Sequence, residues 1–337
     1  MRTFVIAVAV ITLAGLAMLG GQPALPVIDV HLHALPADAQ GPPPLAMCTP
    51  IPAWPAWDPV RPYQLTVLDP KQPGCADPIR SPMTDQEVMT QTIAAAERRN
   101  IFGVLSGTPE RVDTWRRAAP GRFLPGVLLR LGDKNAPTVA ALRELHAKGR
   151  LAVLGEVINQ YAGIPPDDPQ MEPYWAMAEA LDIPAGIHIG PGPPGVIYLG
   201  ATGYRARLHS ALTLEEVLVR HPRLRLYIMH AGYPMLDDVL AVLYAHPQVH
   251  LDTGVIVFTE SRPAFYRYLQ AIVEAGFANR VMFGSDQMVW PGVIERAIET
   301  IESAPFLSEQ QKRNILYNNA ARFLRLGEAE IAKHHGR

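Results

Sequence analysis

Eight strand-length apolar runs, each followed by a helix-length segment, recur along this 337-residue chain, and that alternation constrains the fold most. The runs fall at 27–33, 101–107, 123–129, 151–157, 184–190, 225–232, 249–255 and 281–286. Helices are predicted over 84–99, 109–119, 137–148, 172–181, 212–220, 234–245, 262–275 and 291–302. The first opens on a capping box, Thr84-x-x-Glu87. A last helix, 308–326, has no strand after it. Apolar strands alternating with helices imply a parallel sheet covered by helices. Eight units in a chain of this length imply an α/β fold, a closed (β/α)8 TIM barrel with an extra C-terminal helix. With 48% hydrophobic and 18% charged residues the chain can bury such a core.

Two stretches stand outside the alternation. Residues 1–24 carry Arg2, an apolar run over 4–19 and the small, turn-prone exit Gly20-Gly21-Gln22-Pro23-Ala24, the layout of a secretory signal peptide. The run is short for a membrane span, which needs about 20 residues, although a retained anchor is the alternative. The reading is therefore a single barrel domain over 25–337, periplasmic or secreted, with no membrane association after cleavage. Residues 34–82 form a proline-rich insertion after the first strand, interleaved with Trp54, Trp57 and Tyr63. Such a segment can form neither a long helix nor a central strand. Following the first strand, it is expected to lie over that strand's C-terminal end. It holds both cysteines, Cys48 and Cys75, which in an exported protein pair as a disulfide.

A net charge of -2 provides no electrostatic case for nucleic acid. No Gly-rich phosphate loop follows any of the strands. The expected partner is a small-molecule substrate, with homo-oligomerisation left open.

Histidines and carboxylates mark the strand ends. In 27–33 (Val-Ile-Asp-Val-His-Leu-His) alternation places Asp29, His31 and His33 on one face and Ile28, Val30 and Leu32 on the other. An isolated His-x-His is commonly a hydrogen-bonded surface pair, so the remaining strands decide. The fourth ends in Gly155-Glu156, the fifth in His188, the sixth in His230 and the eighth in Asp286. Barrel active sites are built at this face. His146, His209, His221, His246, His334 and His335 fall on helices, loops or the tail, and His250 lies at the opposite strand end.

The ordered set Asp29-x-His31-x-His33, Gly155-Glu156-Val157, Ile187-His188-Ile189-Gly190, His230-Ala231-Gly232, Phe283-Gly284-Ser285-Asp286 and the closing Asn318 to Leu324 resembles the amidohydrolase superfamily, in its amidohydrolase-related branch of metal-dependent hydrolases and some decarboxylases. The similarity runs from about 27 to 326, and the proline-rich insertion departs from the pattern. The resemblance implies a divalent metal held by His31, His33, His188 and Asp286, most readily zinc, with manganese or iron also suited. A metal can lower the pKa of bound water to about 7. Asp286 would then also act as general base, and His230 would polarise the substrate carbonyl. Glu156 is either the bridging ligand of a second metal or a group that orients a ligand or water. Asp29 is assigned a supporting hydrogen bond.

Substrate contacts are expected from Arg130 as a carboxylate clamp (or a solvated arginine), and from Tyr161, Gln287 and Trp290 as pocket walls. The expected activity is hydrolysis of an amide, ester or lactone. The alternatives are decarboxylation of an aromatic or unsaturated carboxylic acid, and a catalytically silent metal-binding barrel.

Overall fold

Eight parallel strands hydrogen-bond in chain order: β1 (Val27–Ala34), β2 (Ile101–Gly107), β3 (Phe123–Leu129), β4 (Val153–Val157), β5 (Ala185–His188), β6 (Leu226–Met229), β7 (His250–Asp252) and β8 (Val281–Met282). This computed structural model describes residues 24–337, so the expected export segment, apart from Ala24, lies outside the described residues. The sheet closes where the Val30 amide donates to the Phe283 carbonyl at 3.0 Å and the Asp286 amide to the His31 carbonyl at 2.8 Å. Those bonds explain why β8 is shorter than the expected 281–286. Residues 283–286 turn into the mouth, where Phe283, Ser285 and Asp286 bond to β1 while Gly284 bonds to the Thr253 hydroxyl.

Helices cover the barrel in the predicted places, with small adjustments at their ends. Their starts follow from capping chemistry. Thr84 and Glu87 form the anticipated box ahead of Asp85–Arg98, and Thr108, Thr138 and Ser261 cap Pro109–Ala118, Val139–Ala147 and Arg262–Ile272.

The strict alternation expected of β1 does not hold. Asp29 pairs with Gly103 but Leu32 with Leu105, so β1 carries one extra residue between them, a β-bulge. Ile28 and Val30 join Val104, Val153 and Met229 in one buried cluster, whereas Leu32 packs with Leu105 in the other. The bulge thus separates Asp29 from the face of His31 and His33. A second bulge, between Leu154 and Val157 of β4, falls at Gly155-Glu156. Bulges at barrel rims re-aim side chains. Here they turn His31 and Glu156 toward the mouth.

The C-terminal helix expected over 308–326 forms over 309–323 and contains a π turn. Glu309–Arg313 passes through a π turn, Asn314–Asn318, into Asn319–Phe323. Asn319 explains the docking: its amide donates to the Ala278 and Val281 carbonyls at 2.9 and 2.6 Å. An unanticipated helix follows, Glu328–His334. His334, read from sequence as tail, is buried, stacks on Phe102 at 3.6 Å and meets the Tyr317 hydroxyl at 3.0 Å.

The insertion is also more ordered than its prolines suggest. Ala46–Met47 pairs antiparallel with Ile79–Arg80, and Cys48 is bonded to Cys75 with their Cα atoms 6.0 Å apart. Among the described residues, no helix is long and apolar enough to cross a membrane.

Candidate metal centre and active-site cavity

At the C-terminal ends of the strands, β1, β4, β5, β6 and the turn after β8 bring His31, His33, Glu156, His188, His230 and Asp286 together, all nearly inaccessible to solvent. Asp286 Oδ1 lies 3.1 Å from His33 Nε2 and 3.7 Å from His31 Nε2. Glu156 Oε2 lies 3.5 Å from His33 Nε2, and its Oε1 3.5 Å from His230 Nε2 and 4.0 Å from His188 Nε2. His230, Asp286 and Met288 adopt left-handed backbone at φ 61°, 53° and 46°, which turns the chain sharply at the mouth. Residues other than glycine persist there only when their surroundings hold them.

The electrostatics follow from burying so many charges together. For His31, burial disfavours the cation, but the Asp286 and Asp252 carboxylates outweigh it and raise its pKa well above the usual value. Burial opposes ionisation of Glu156, yet the His230 and His31 rings hold its carboxyl well below the ordinary range. Asp286 is likewise lowered by His31 and His33 against the cost of burial. His188 is pushed down to about 3 by burial and by His230, so it stays a neutral imidazole. Neutral imidazole and carboxylate are the forms that bind metal.

Two ring nitrogens that face the cluster carboxylates, His31 Nε2 and His230 Nε2, are buried with no hydrogen-bond partner. Buried polar atoms in native proteins are almost always satisfied, so such an orphaned set points to a missing partner. Three triads have ligand atoms mutually within 4.8 Å: His31, His33 and Glu156; His31, His230 and Asp286; and Glu156, His188 and His230. The donor set therefore fits a divalent cation. Glu156 lies as centrally as any of the four expected ligands, and His230 stands among them.

The supporting contacts are specific. His31 Nδ1 meets Asp252 Oδ2 at 2.9 Å, and His188 Nδ1 meets Gln160 Oε1 at 2.9 Å. His230 Nδ1 faces the Gly254 carbonyl at 3.1 Å. Each contact leaves the opposite nitrogen for the cluster. Asp29 supports backbone rather than rings: its Oδ1 accepts from the His31 and Ser285 amides, each at 3.0 Å, and burial pushes its carboxyl up to about 6. Asp252, Gln160 and Gly254 were missed from sequence. Asp252 ends the seventh strand, which carries no histidine at its mouth, and the Asp252-Thr253-Gly254 step was its only signal.

Above the cluster lies a cavity of about 470 Å³. Arg130, Tyr161 and Trp290 are among the residues that line it, and the Tyr161 hydroxyl stands 3.5 Å from His188 Nε2. Burial raises that phenol well above its usual pKa, so it remains a donor. Gln287 does not wall the cavity. It is fully buried and brackets the His33 backbone, accepting from its amide at 3.0 Å and donating to its carbonyl at 2.7 Å. Glu260, unanticipated, lines the cavity and accepts from the Tyr233 hydroxyl at 3.0 Å.

Several solved structures share the architecture. An uncharacterised TIM-barrel protein from Bordetella bronchiseptica is 18% identical over 93% of this chain and 100% of its own, with a TM-score of 0.57. A 5-carboxyvanillate decarboxylase from Sphingomonas paucimobilis is 17% identical over 90% of this chain and 100% of its own, at 0.54. A probable 2-pyrone-4,6-dicarboxylic acid hydrolase from Acinetobacter baumannii is 16% identical over 89% of this chain and 99% of its own, at 0.53. At such identities the likeness concerns the fold. No curated protein is significantly similar in sequence. The family model described as amidohydrolase, however, matches residues 28–326, nearly the whole barrel. The chain belongs to that family, and is a metal-dependent enzyme of the amidohydrolase superfamily.

Proposed function

We propose that the chain is an exported hydrolase that cleaves an amide, ester or lactone bond of a small molecule. The observation that carries this reading is His230 Nε2, buried without a partner beside Glu156 and Asp286 at the floor of the cavity. Burial disfavours charge on His230, but Glu156 and Asp286 outweigh it and raise its pKa. The Nδ1 side of the ring is turned to the Gly254 carbonyl, and with a proton on Nε2 the ring donates to a substrate oxygen gaining negative charge. Loss of one such donor commonly lowers kcat by about 100- to 1000-fold.

His31, His33, His188 and Asp286 would hold the metal, with Glu156 beside them and zinc or manganese as the expected ion. When bound, the ion supplies Lewis-acid polarisation and a more acidic water. Asp286, kept ionised by its histidines, accepts a proton, and Tyr161 donates to a substrate oxygen from the cavity wall. The disulfide supports export, since such bonds persist in oxidising compartments.

Arg130 favours a second reading, decarboxylation, because a guanidinium at the cavity wall suits a substrate carboxylate. The substrate named for the 5-carboxyvanillate decarboxylase agrees with it, whereas the name of the pyrone dicarboxylic acid hydrolase pairs a carboxylated substrate with hydrolysis.

The test is an assay of zinc- and manganese-loaded protein against esters, lactones and amides by pH-stat, and against aromatic carboxylates by CO2 release. Hydrolysis lost in His230→Asn supports the first reading. CO2 release abolished in Arg130→Ala, with no hydrolysis by the parent, would replace it with the second. Fractionation of the native host should find a shortened chain outside the cytoplasm.

A further inference from the structure

The barrel mouth is roofed by the insertion, and the roof is apolar. Met47, Ile51, Leu65, Val67 and Leu68 face the cavity from above, and Leu199 faces it from the loop after β5. Beyond the metal cluster, Arg130 and Glu260 are the charged residues among those lining it. Cavities of roughly 300–1000 Å³ with such walls bury the body of a small organic ligand, and this one holds about 470 Å³.

The roof is fastened from several sides. Cys48–Cys75 closes it internally, Trp290 Nε1 donates to the Leu45 carbonyl at 3.3 Å, and the Ile51 amide donates to the Thr259 carbonyl at 2.9 Å. On the far side the Tyr63 hydroxyl donates to the Pro194 carbonyl at 2.5 Å, and Trp57 packs on Tyr198 with ring centroids 4.6 Å apart. The apolar wall is thus a standing part of the site. Its rim is apolar too: Trp54 and Leu199 line the cavity yet are 49% and 45% exposed, and Tyr198 beside them is 59% exposed.

We propose that this site takes substrates bearing an extended apolar group, a medium-length acyl chain. That chain fills the space between the insertion and the loop after β5, while the reacting carbonyl reaches the His31–Asp286 cluster. The substrate class rests on the hydrolase reading; the apolar chamber does not.

Two probe series separate the claims. Binding of straight-chain hydroxamates, from acetohydroxamate to decanohydroxamate, is measured by calorimetry on zinc-loaded protein. Binding of straight-chain alcohols, from ethanol to octanol, is measured on chelated protein by tryptophan fluorescence. Affinity is expected to rise up to about fourfold per added methylene in both series until the chamber is full. In Leu65→Asn and Val67→Asn, at half-buried roof positions, the rise should flatten while circular dichroism is unchanged. Alcohol affinity that does not grow with chain length would overturn the inference, whether or not hydroxamates bind. Alcohols that do grow, with no hydroxamate binding at any length, would support the chamber and count against the metal-dependent hydrolase reading. Should either variant fail to fold, the parent's two series decide alone.

Discussion

Asp252 Oδ2 lies 2.9 Å from His31 Nδ1, and neither side chain has any solvent exposure. The other carboxylate oxygen accepts from the His230 amide at 2.9 Å and the Gly254 amide at 2.8 Å. One carboxylate therefore holds the Nδ1 side of His31, turning Nε2 toward the cluster, and anchors the backbone beneath His230. Removing a partner of this kind commonly lowers metal affinity or activity by about 10- to 100-fold. Asp252→Asn should show a loss of that size in zinc affinity, measured by chelator competition, with the fold intact by circular dichroism. Unchanged affinity would remove Asp252 from the account.

Gly254 is constrained by the same pair. A Cβ there would sit 2.5 Å from His31 Nδ1 and 3.1 Å from Asp252 Oδ1. Gly254→Ala must push the His31 ring or break its contact with Asp252. It should weaken metal binding at least as much as Asp252→Asn, and calorimetric metal titration reads the effect directly.

Stability should fall on mild acidification. Burial holds His209, His250 and His334 neutral, with pKa values down to about 4 against an ordinary 6.5. Between those limits the unfolded chain takes up protons that the folded chain refuses, so stability is full above about 6.5 and declines toward about 4. The Tm of chelated protein should drop by several degrees across that window. His250→Phe, whose ring would still pack on Phe323 beside it, should show a shallower slope. Equal slopes in variant and parent would contradict this assignment.

The disulfide closes a loop of 27 residues. On the chain-entropy model such a link stabilises by about 3 to 4 kcal/mol. Cys48→Ser with Cys75→Ser should lower unfolding stability by up to that amount, measured by urea denaturation. It should also expose the roof to proteolysis before the barrel. Cleavage that begins in the barrel would contradict the roof's separate fastening.

What was legible from sequence followed period and strand-end position. Apolar runs separated by capped helices specified the barrel, and residues at the C-terminal ends of strands specified the cluster, because the closed sheet brings those ends together whatever the details between them. What was illegible depended on departures from ideal period or on polar contacts over long sequence separations. Two-residue alternation puts Asp29 on the face of His31, yet one bulge residue separates them. Gln287 follows Asp286 and reads as a pocket wall, but its amide is matched to both backbone groups of His33, 254 positions away. Asp252 lacks a motif because its role lies in the histidine it orients. His334 sits in a polar tail by composition and becomes buried only because Tyr317 and Phe102 receive its ring.

The most direct test of the metal centre is the metal content of the purified chain, from about residue 25, before and after reconstitution with zinc or manganese. About one ion per chain, lost in His31→Ala with His33→Ala, is the predicted result, with Glu156 supporting the site rather than bridging a second ion. No bound metal under any reconstitution, in a folded chain, would contradict the assignment of His31, His33, His188 and Asp286 to a metal centre.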